Sequence, residues 1–236
     1  MIRNYIKTTL RNLIRNKLYS IINIGGLAIG LAVCMIIMLY VAHERSYDEF
    51  HKNAKQIVAL HGQLTINGNT MDKEFMSYHT GPMIKENIPA VEDYSSYFKY
   101  FLPVTVNTAL SPQSKFNENN LLFADAGFFS FFSFKLLSGQ PTDVLSKPFT
   151  VVISKDMAKK YFAGQDPVGK TLIVKTDSAY TYLVTGVAEN NPSNSSINYN
   201  FVASATSLGG IKGPMPFLEG PRIGLGFFNV YLLLKH

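Results

Sequence analysis

The chain has 236 residues, with 22 Lys and Arg against 16 Asp and Glu for a formal charge of +6. Five of the bases, Arg3, Lys7, Arg11, Arg15 and Lys17, lie in the first 20 residues with no acid among them, leaving 17 bases against 16 acids elsewhere. That near-neutral body argues against a nucleic-acid binder with a basic face, and the lone cysteine, Cys34, excludes an intrachain disulfide framework and any Cys-rich zinc site.

Residues 2–18 begin the chain with a helical pattern. Arg3, Lys7, Arg11 and Arg15 recur every four positions, while Ile6, Leu10, Leu13, Ile14 and Leu18 gather on the other side. This predicts an amphipathic helix whose bases, with Lys17, suit an anionic membrane surface. It serves either as a charge anchor or as a surface helix coupled to a cytoplasmic partner. Residues 20–42 then run for 23 positions without a charge. Charged residues are 16% of the chain, against roughly 25% in soluble domains. At about 1.5 Å per residue the run spans roughly 34 Å, enough for a hydrocarbon core of about 30 Å.

A cleaved signal would have a shorter apolar region, roughly 7–15 residues, and a small residue three before the cut. A cut after Ala42 would put Tyr40 there. A lipoprotein signal at Leu31-Ala32-Val33-Cys34 is disfavoured by the bulk of Val33 and by the apolar run continuing beyond Cys34. The segment is expected to be an uncleaved anchor. Within it Gly26 and Gly30 form a GxxxG that Cys34 extends by another i+4 step, a strip on which a second helix could pack. Five bases precede the helix, and the net-acidic stretch from His43 to Glu49 follows it, so the N-terminus is expected in the cytoplasm.

Residues 43–236 have the composition of an ordered domain: 13% of the whole chain is aromatic, all Phe and Tyr. Alternation over 58–66, an Asn67-Gly68 turn and a return over 70–76 predict a hairpin. Residues 78–87 predict a short helix ended by Pro89, and 91–107 a long strand region interrupted by Pro103. Asp125 is placed to cap a helix containing Phe128, Phe129, Phe131 and Phe132, and the five phenylalanines of 128–134 suit a core cluster better than a surface patch. A strand at 149–153 leads to a helix capped by Ser154 and ended by Gly164. Strands at 171–174 and 180–188 flank Asp177-Ser178, 190–196 is a polar turn cluster, and 225–234 reads as a buried strand. Residues 207–226 hold six Gly and three Pro, a long loop. Interspersed strands and short helices predict an α+β domain.

The motifs that carry chemistry mostly fail on context. Residues 164–171 fit GxxxxGKT letter for letter, but a phosphate-binding loop needs a strand before it and a helix after it, and here the predicted order is reversed. His43, Glu44, Asp48 and His51 could approach one another as metal ligands, but the HExxH spacing is broken by Tyr47. No catalytic, cofactor or metal residues are assigned.

An ordered series of segments resembles a known family. It runs from Arg11-Asn12-Leu13-Ile14-Arg15-Asn16-Lys17 and Ile22-Asn23-Ile24-Gly25-Gly26 to Glu44-Arg45-Ser46-Tyr47-Asp48-Glu49-Phe50-His51. Val151-Val152-Ile153-Ser154, Asp166-Pro167-Val168-Gly169-Lys170-Thr171-Leu172, Val184-Thr185-Gly186-Val187-Ala188 and Asn194-Ser195-Ser196-Ile197 follow. The series is similar to the FtsX-like or MacB-like permease subunits of bacterial ABC transporters, over the first membrane helix and the MacB-like periplasmic core domain. The resemblance implies a non-catalytic subunit in the bacterial inner membrane, coupling ATP hydrolysis to movement of an extracytoplasmic domain in efflux or mechanotransmission. It binds no cofactor of its own: ATP belongs to a partner, a cytoplasmic ABC ATPase. Other implied partners are a second permease in a homo- or heterodimer, membrane lipid, and periplasmic or outer-membrane proteins; nucleic acid is not among them. The implied organisation is a cytoplasmic amphipathic helix at 1–19, a transmembrane helix at 20–42 and the core domain at 43–236. Members of the family continue into three further membrane helices, whereas this chain stops in what looks like a mid-domain strand and is read as a fragment or truncated product. The alternative is a single-pass, membrane-anchored sensor or binding module; a tethered hydrolase lacks a recognisable site.

Overall fold

A computed structural model of the chain describes residues 2–66, 69–73, 75–108, 111–211 and 226–235. Contacts divide the chain into two compact units, Met1–Tyr47 and Asp48–His236.

The first unit is two helices, α1 (Ile2–Arg15) and α2 (Lys17–Arg45). They part at Asn16 (φ −110°, ψ 57°), whose amide still donates to Asn12 O at 3.0 Å and whose carbonyl still accepts from Ser20 at 3.0 Å. The long helix starts three residues before the uncharged run and continues three beyond it, so Lys17 and Leu18 belong to α2 and not to the amphipathic helix expected over 2–18. Helical bonding persists because nothing breaks it until Ser46, whose amide and hydroxyl both donate to His43 O. Arg45 and His43 in the last turn complement the helix dipole.

In the second unit the strands are β1 (Ile57–Ala59), β2 (Gly62–Ile66), β3 (Asn69–Lys73), β4 (Val91–Lys99), β5 (Val104–Thr108), β6 (Ser111–Glu118), β7 (Leu121–Ala124), β8 (Leu136–Ser138), β9 (Thr150–Ser154), β10 (Thr171–Lys175), β11 (Ala179–Ala188), β12 (Phe201–Ser204) and β13 (Asn229–Leu234). Three helices, α3 (Thr80–Asn87), α4 (Phe128–Phe131) and α5 (Lys155–Phe162), and a 3-10 turn at Ala205–Gly210 complete it. Eleven strands form one mixed sheet in the order β1-β13-β4-β7-β12-β9-β11-β10-β5-β6, with β8 also paired to β11. Most pairs are antiparallel, but β12 runs parallel to β7 and β11 parallel to β9. The fold is α+β, as the sequence predicts.

The centre of the sheet is covered on both faces. Phe98, Phe123, Val151, Ile153, Phe201 and Ala203 face one core, against which Met157, Ala158 and Tyr161 of α5 pack. Tyr97, Leu122, Val152 and Val202 face the other, built on the phenylalanines of residues 128–134. All five are buried, at 0–6% exposure, so that segment is core and not a surface patch. Double coverage explains why β7, β9 and β12 read as unbroken runs in which every residue is buried, with no alternation. In β11 a bulge falls between Val184 and Gly186. A Cβ at Gly186 would lie 2.8 Å from Ser138 O, so only glycine admits the β8 backbone there.

The alternating pattern of 58–66 is two strands, not one, broken at Leu60 and His61. Leu60 is drawn inward by its amide bond to Val230 O at 2.9 Å. β1 joins the main sheet, while β2 pairs with β3 in a separate hairpin, with Ile66 opposite Asn69. The Asn67-Gly68 turn lies outside the described residues, as does most of the Gly/Pro-rich segment 207–226. Asp125 does not cap α4 as expected: its carboxylate turns back to Ser95 and Ser96 of β4, and Gly127 takes the N-cap position.

Candidate functional site: the exit from the membrane helix

In the first unit, Arg3, Lys7, Arg11 and Arg15 lie on α1 and Lys17 opens α2, all solvent-exposed. Gly26, Gly30 and Cys34 also lie exposed along α2, and a Cβ added at either glycine would meet nothing within 4 Å. The strip is therefore open to a second helix. The helix is long and apolar enough to cross a bilayer. An apolar cleft of about 520 Å³ lies between α1 and α2, lined by Leu13, Ile14, Ser20, Ile21 and Ile24 with Lys17 among them.

The second unit begins at Asp48, and its first residues are tied down at once. Asp48 has φ +58°, a left-handed conformation that Asp tolerates better than most residues. Its amide donates to Asn194 O at 3.0 Å, and its Oδ1 accepts from the Ser196 amide at 2.9 Å. Both partners lie in the loop between β11 and β12. Three residues on, His51 is buried at 6% exposure, its Nδ1 bonded to Phe132 O and its Nε2 3.8 Å from Asp48 Oδ1. The rings of Phe50 and His51 lie against Phe134, and the Lys52 amide donates to Ser133 Oγ at 3.3 Å. Burial pulls the His51 pKa below 6.5, more than the Phe132 bond and the Asp48 charge raise it. The sequence names Asp48 and His51 only as conceivable ligands. Their real partners are 81 and 148 residues away in the chain, a separation no local pattern reports.

The same β11–β12 loop has a second side. Asn190, Asn191, Asn198 and Asn200 line an open polar cleft of about 430 Å³ with Lys99, Asn120 and Asp156. The amides are largely spent on the fold. Asn190 Oδ1 accepts from the Asp156 amide at 3.1 Å, and Asn191 and Asn198 donate to Tyr199 O and Ser195 O.

His43 and Glu44 sit on the last turn of α2 in the first unit. Among the described residues no three His, Cys, Asp or Glu side chains converge on a metal position. The GxxxxGKT segment has α5 before it and β10 after it, the order the sequence predicts. Its backbone serves the fold: the Gly169 amide donates to Val184 O at 2.8 Å and the Lys170 amide to Pro167 O at 3.1 Å. Lys170 Nζ donates to Gln165 Oε1 at 2.6 Å.

A helix long and apolar enough to cross a bilayer, followed by a mixed α+β domain, fits the class of single-pass membrane proteins. Residues 20–234 match the model of the MacB-like periplasmic core domain, and the chain belongs to that family. Its domain is thus the periplasmic-type domain of ABC-transporter permeases, preceded among the described residues by one helix long and apolar enough to cross a membrane. Among solved structures it is similar to a domain of a putative permease protein from Porphyromonas gingivalis, with 24% identity and a TM-score of 0.62 over 78% of this chain and 77% of that one. That likeness is one of fold. The periplasmic region of MacB from Actinobacillus actinomycetemcomitans is 17% identical, with a TM-score of 0.48 over 66% of this chain and 63% of that one. The extracellular domain of the noncanonic ABC-type transporter YknZ from Gram-positive bacteria is 16% identical, with a TM-score of 0.48 over 68% and 73%. No curated protein matches the chain.

Proposed function

We propose that the chain acts as a non-catalytic permease subunit of a bacterial ABC transporter. In this reading α1 and the start of α2 face the cytoplasm, and the second unit lies outside the membrane. A separate cytoplasmic ATPase hydrolyses ATP, and α2 carries the resulting motion to the extracytoplasmic domain. The observation that carries the reading is the extent of the family match, which begins inside the apolar helix and runs to residue 234. The charge distribution supports the orientation: five bases and no acid precede the apolar run. The exposed Gly26–Gly30–Cys34 strip would seat a second membrane helix, in a homodimer or a pair with another permease.

The test is isolation of the full chain from its native membrane in mild detergent, with its complex identified by mass spectrometry. The expected result is co-isolation of an ABC ATPase at defined stoichiometry, lost when Arg11 and Arg15 are both changed to Glu. Isolation of the chain alone, together with saturable binding of a small ligand to the outer domain, would replace the permease reading by that of a single-pass binding module.

A further inference from the structure

Asp48 Oδ1 faces two groups at once. It accepts the Ser196 amide at 2.9 Å and lies 3.8 Å from His51 Nε2. The other imidazole nitrogen, Nδ1, is bonded to Phe132 O, and a carbonyl can only accept, so Nδ1 carries the proton of the neutral ring. Nε2 is then a bare lone pair turned toward a carboxylate. Two acceptors cannot bond, which leaves the carboxylate free to hold the loop. A second proton on the ring reverses this relation. Nε2–H⁺ becomes a charged donor about 1 Å beyond bonding reach of a charged acceptor, and charge-assisted bonds are roughly twice as strong as neutral ones.

We propose that Asp48 is a two-position latch: with His51 neutral its carboxylate holds the Ser196 amide of the β11–β12 loop, and with His51 protonated it turns to the imidazole and gives that amide up, while the Asp48 amide keeps its bond to Asn194 O. The surroundings suit the device. The ring is enclosed by Phe50, Phe132 and Phe134, and Asp48 is the charged group whose field reaches it. Glu49 and Lys52 flank it in the chain, and the Tyr97 hydroxyl also senses Asp48. Burial keeps the ring neutral until the medium is acid, so the latch stays closed near neutrality and opens below pH 6.5.

Release reaches beyond Ser196. Within the loop, Ser195 Oγ donates to Ile197 O at 2.9 Å and Asn198 Nδ2 to Ser195 O at 3.2 Å, while Asn190 holds the first turn of α5 through the Asp156 amide. Opening the latch therefore reaches the loop through Ser195 and Ser196, while the Asn190 tie to α5 stays in place. Resting on the permease reading, the consequence is that external acidity frees the Ser196 end of the β11–β12 loop while the Asp48 amide still holds Asn194 O.

Hydrogen exchange on the full chain in nanodiscs tests the latch without any ATPase, so its failure is separate from failure of the permease reading. Protection at Ser196 and its neighbours, corrected for intrinsic exchange, is compared at about pH 7.5 and about pH 5.5. The expected result is a fall of roughly tenfold in acid, with β9 and β12 amides unchanged. In His51→Asn, which keeps a donor for Phe132 O and cannot be charged, protection is expected to stay high at both pH values. Asp48→Asn keeps the acceptor for Ser196 but has no charge to draw away, and is expected to be equally insensitive. Equal protection in the wild type at both pH values, or an equal fall in Asp48→Asn, would overturn the proposal. Should His51→Asn lose β9 and β12 protection through misfolding, Asp48→Asn alone decides.

Discussion

Asp125 stands where β7 ends and the phenylalanine helix begins, and its carboxylate accepts from Ser95 Oγ and from the amide and hydroxyl of Ser96. Desolvation outweighs these bonds and pushes its pKa up to about 6. A carboxyl whose folded pKa exceeds its unfolded value contributes stability below the unfolded value, near 3.8, and loses that contribution as pH rises through about 6. The denaturant midpoint of the full chain in detergent is therefore expected to carry a component that declines from pH 4 to pH 6 and vanishes in Asp125→Asn. His51 contributes with the opposite sign, its stability present above 6.5 and lost in acid. The double comparison of Asp125→Asn and His51→Asn separates the two. Residue type alone marks Asp125 as a helix cap. Its role as a buried tie to β4 depends on the pairing of β4 with β7, which no spacing in the sequence encodes.

α5 shows how far local chemistry determines an element. Ser154 Oγ accepts the Met157 amide, Asp156 lies in the first turn and Lys159 and Lys160 in the last, each favourable to the helix dipole. The helix ends through Ala163 at φ +49°, a left-handed position that glycine occupies more cheaply, followed by Gly164 at φ +87°. Thermal unfolding should accordingly report opposite shifts: Ser154→Ala costs about 1 kcal/mol and Ala163→Gly gains about 0.5–1 kcal/mol. The start of this helix is legible in its cap and its strand–helix–strand setting disposes of the GxxxxGKT match, because phosphate binding needs free amides at a helix start. β7 and β12 escape notice for a physical reason: buried on both faces, four-residue runs such as Leu121–Ala124 show neither the two-residue nor the 3.6-residue period.

At the scale of the molecule the question is which side of the membrane each unit occupies. The charge bias predicts the first unit's α1 inside and the second unit outside. In a Cys34→Ser background, Asp166→Cys is expected to react with an impermeant maleimide on intact spheroplasts and Thr8→Cys only after lysis. Both positions are exposed, so reactivity reads sidedness and not burial. Reversed labelling would place the domain in the cytoplasm and remove the basis of the permease proposal.

The membrane helix, the α+β character and the capped α5 were determined by the sequence itself, because apolar length, periodicity and cap chemistry act within a few turns of chain. Only the tertiary structure decided the sheet order, in which β13 lies between β1 and β4. It alone joined Asp48 to the β11–β12 loop and His51 to Phe132. Those bonds connect residues distant in sequence, and their partners are selected by the burial of two cores on one sheet, a property of the assembled chain and of no segment within it.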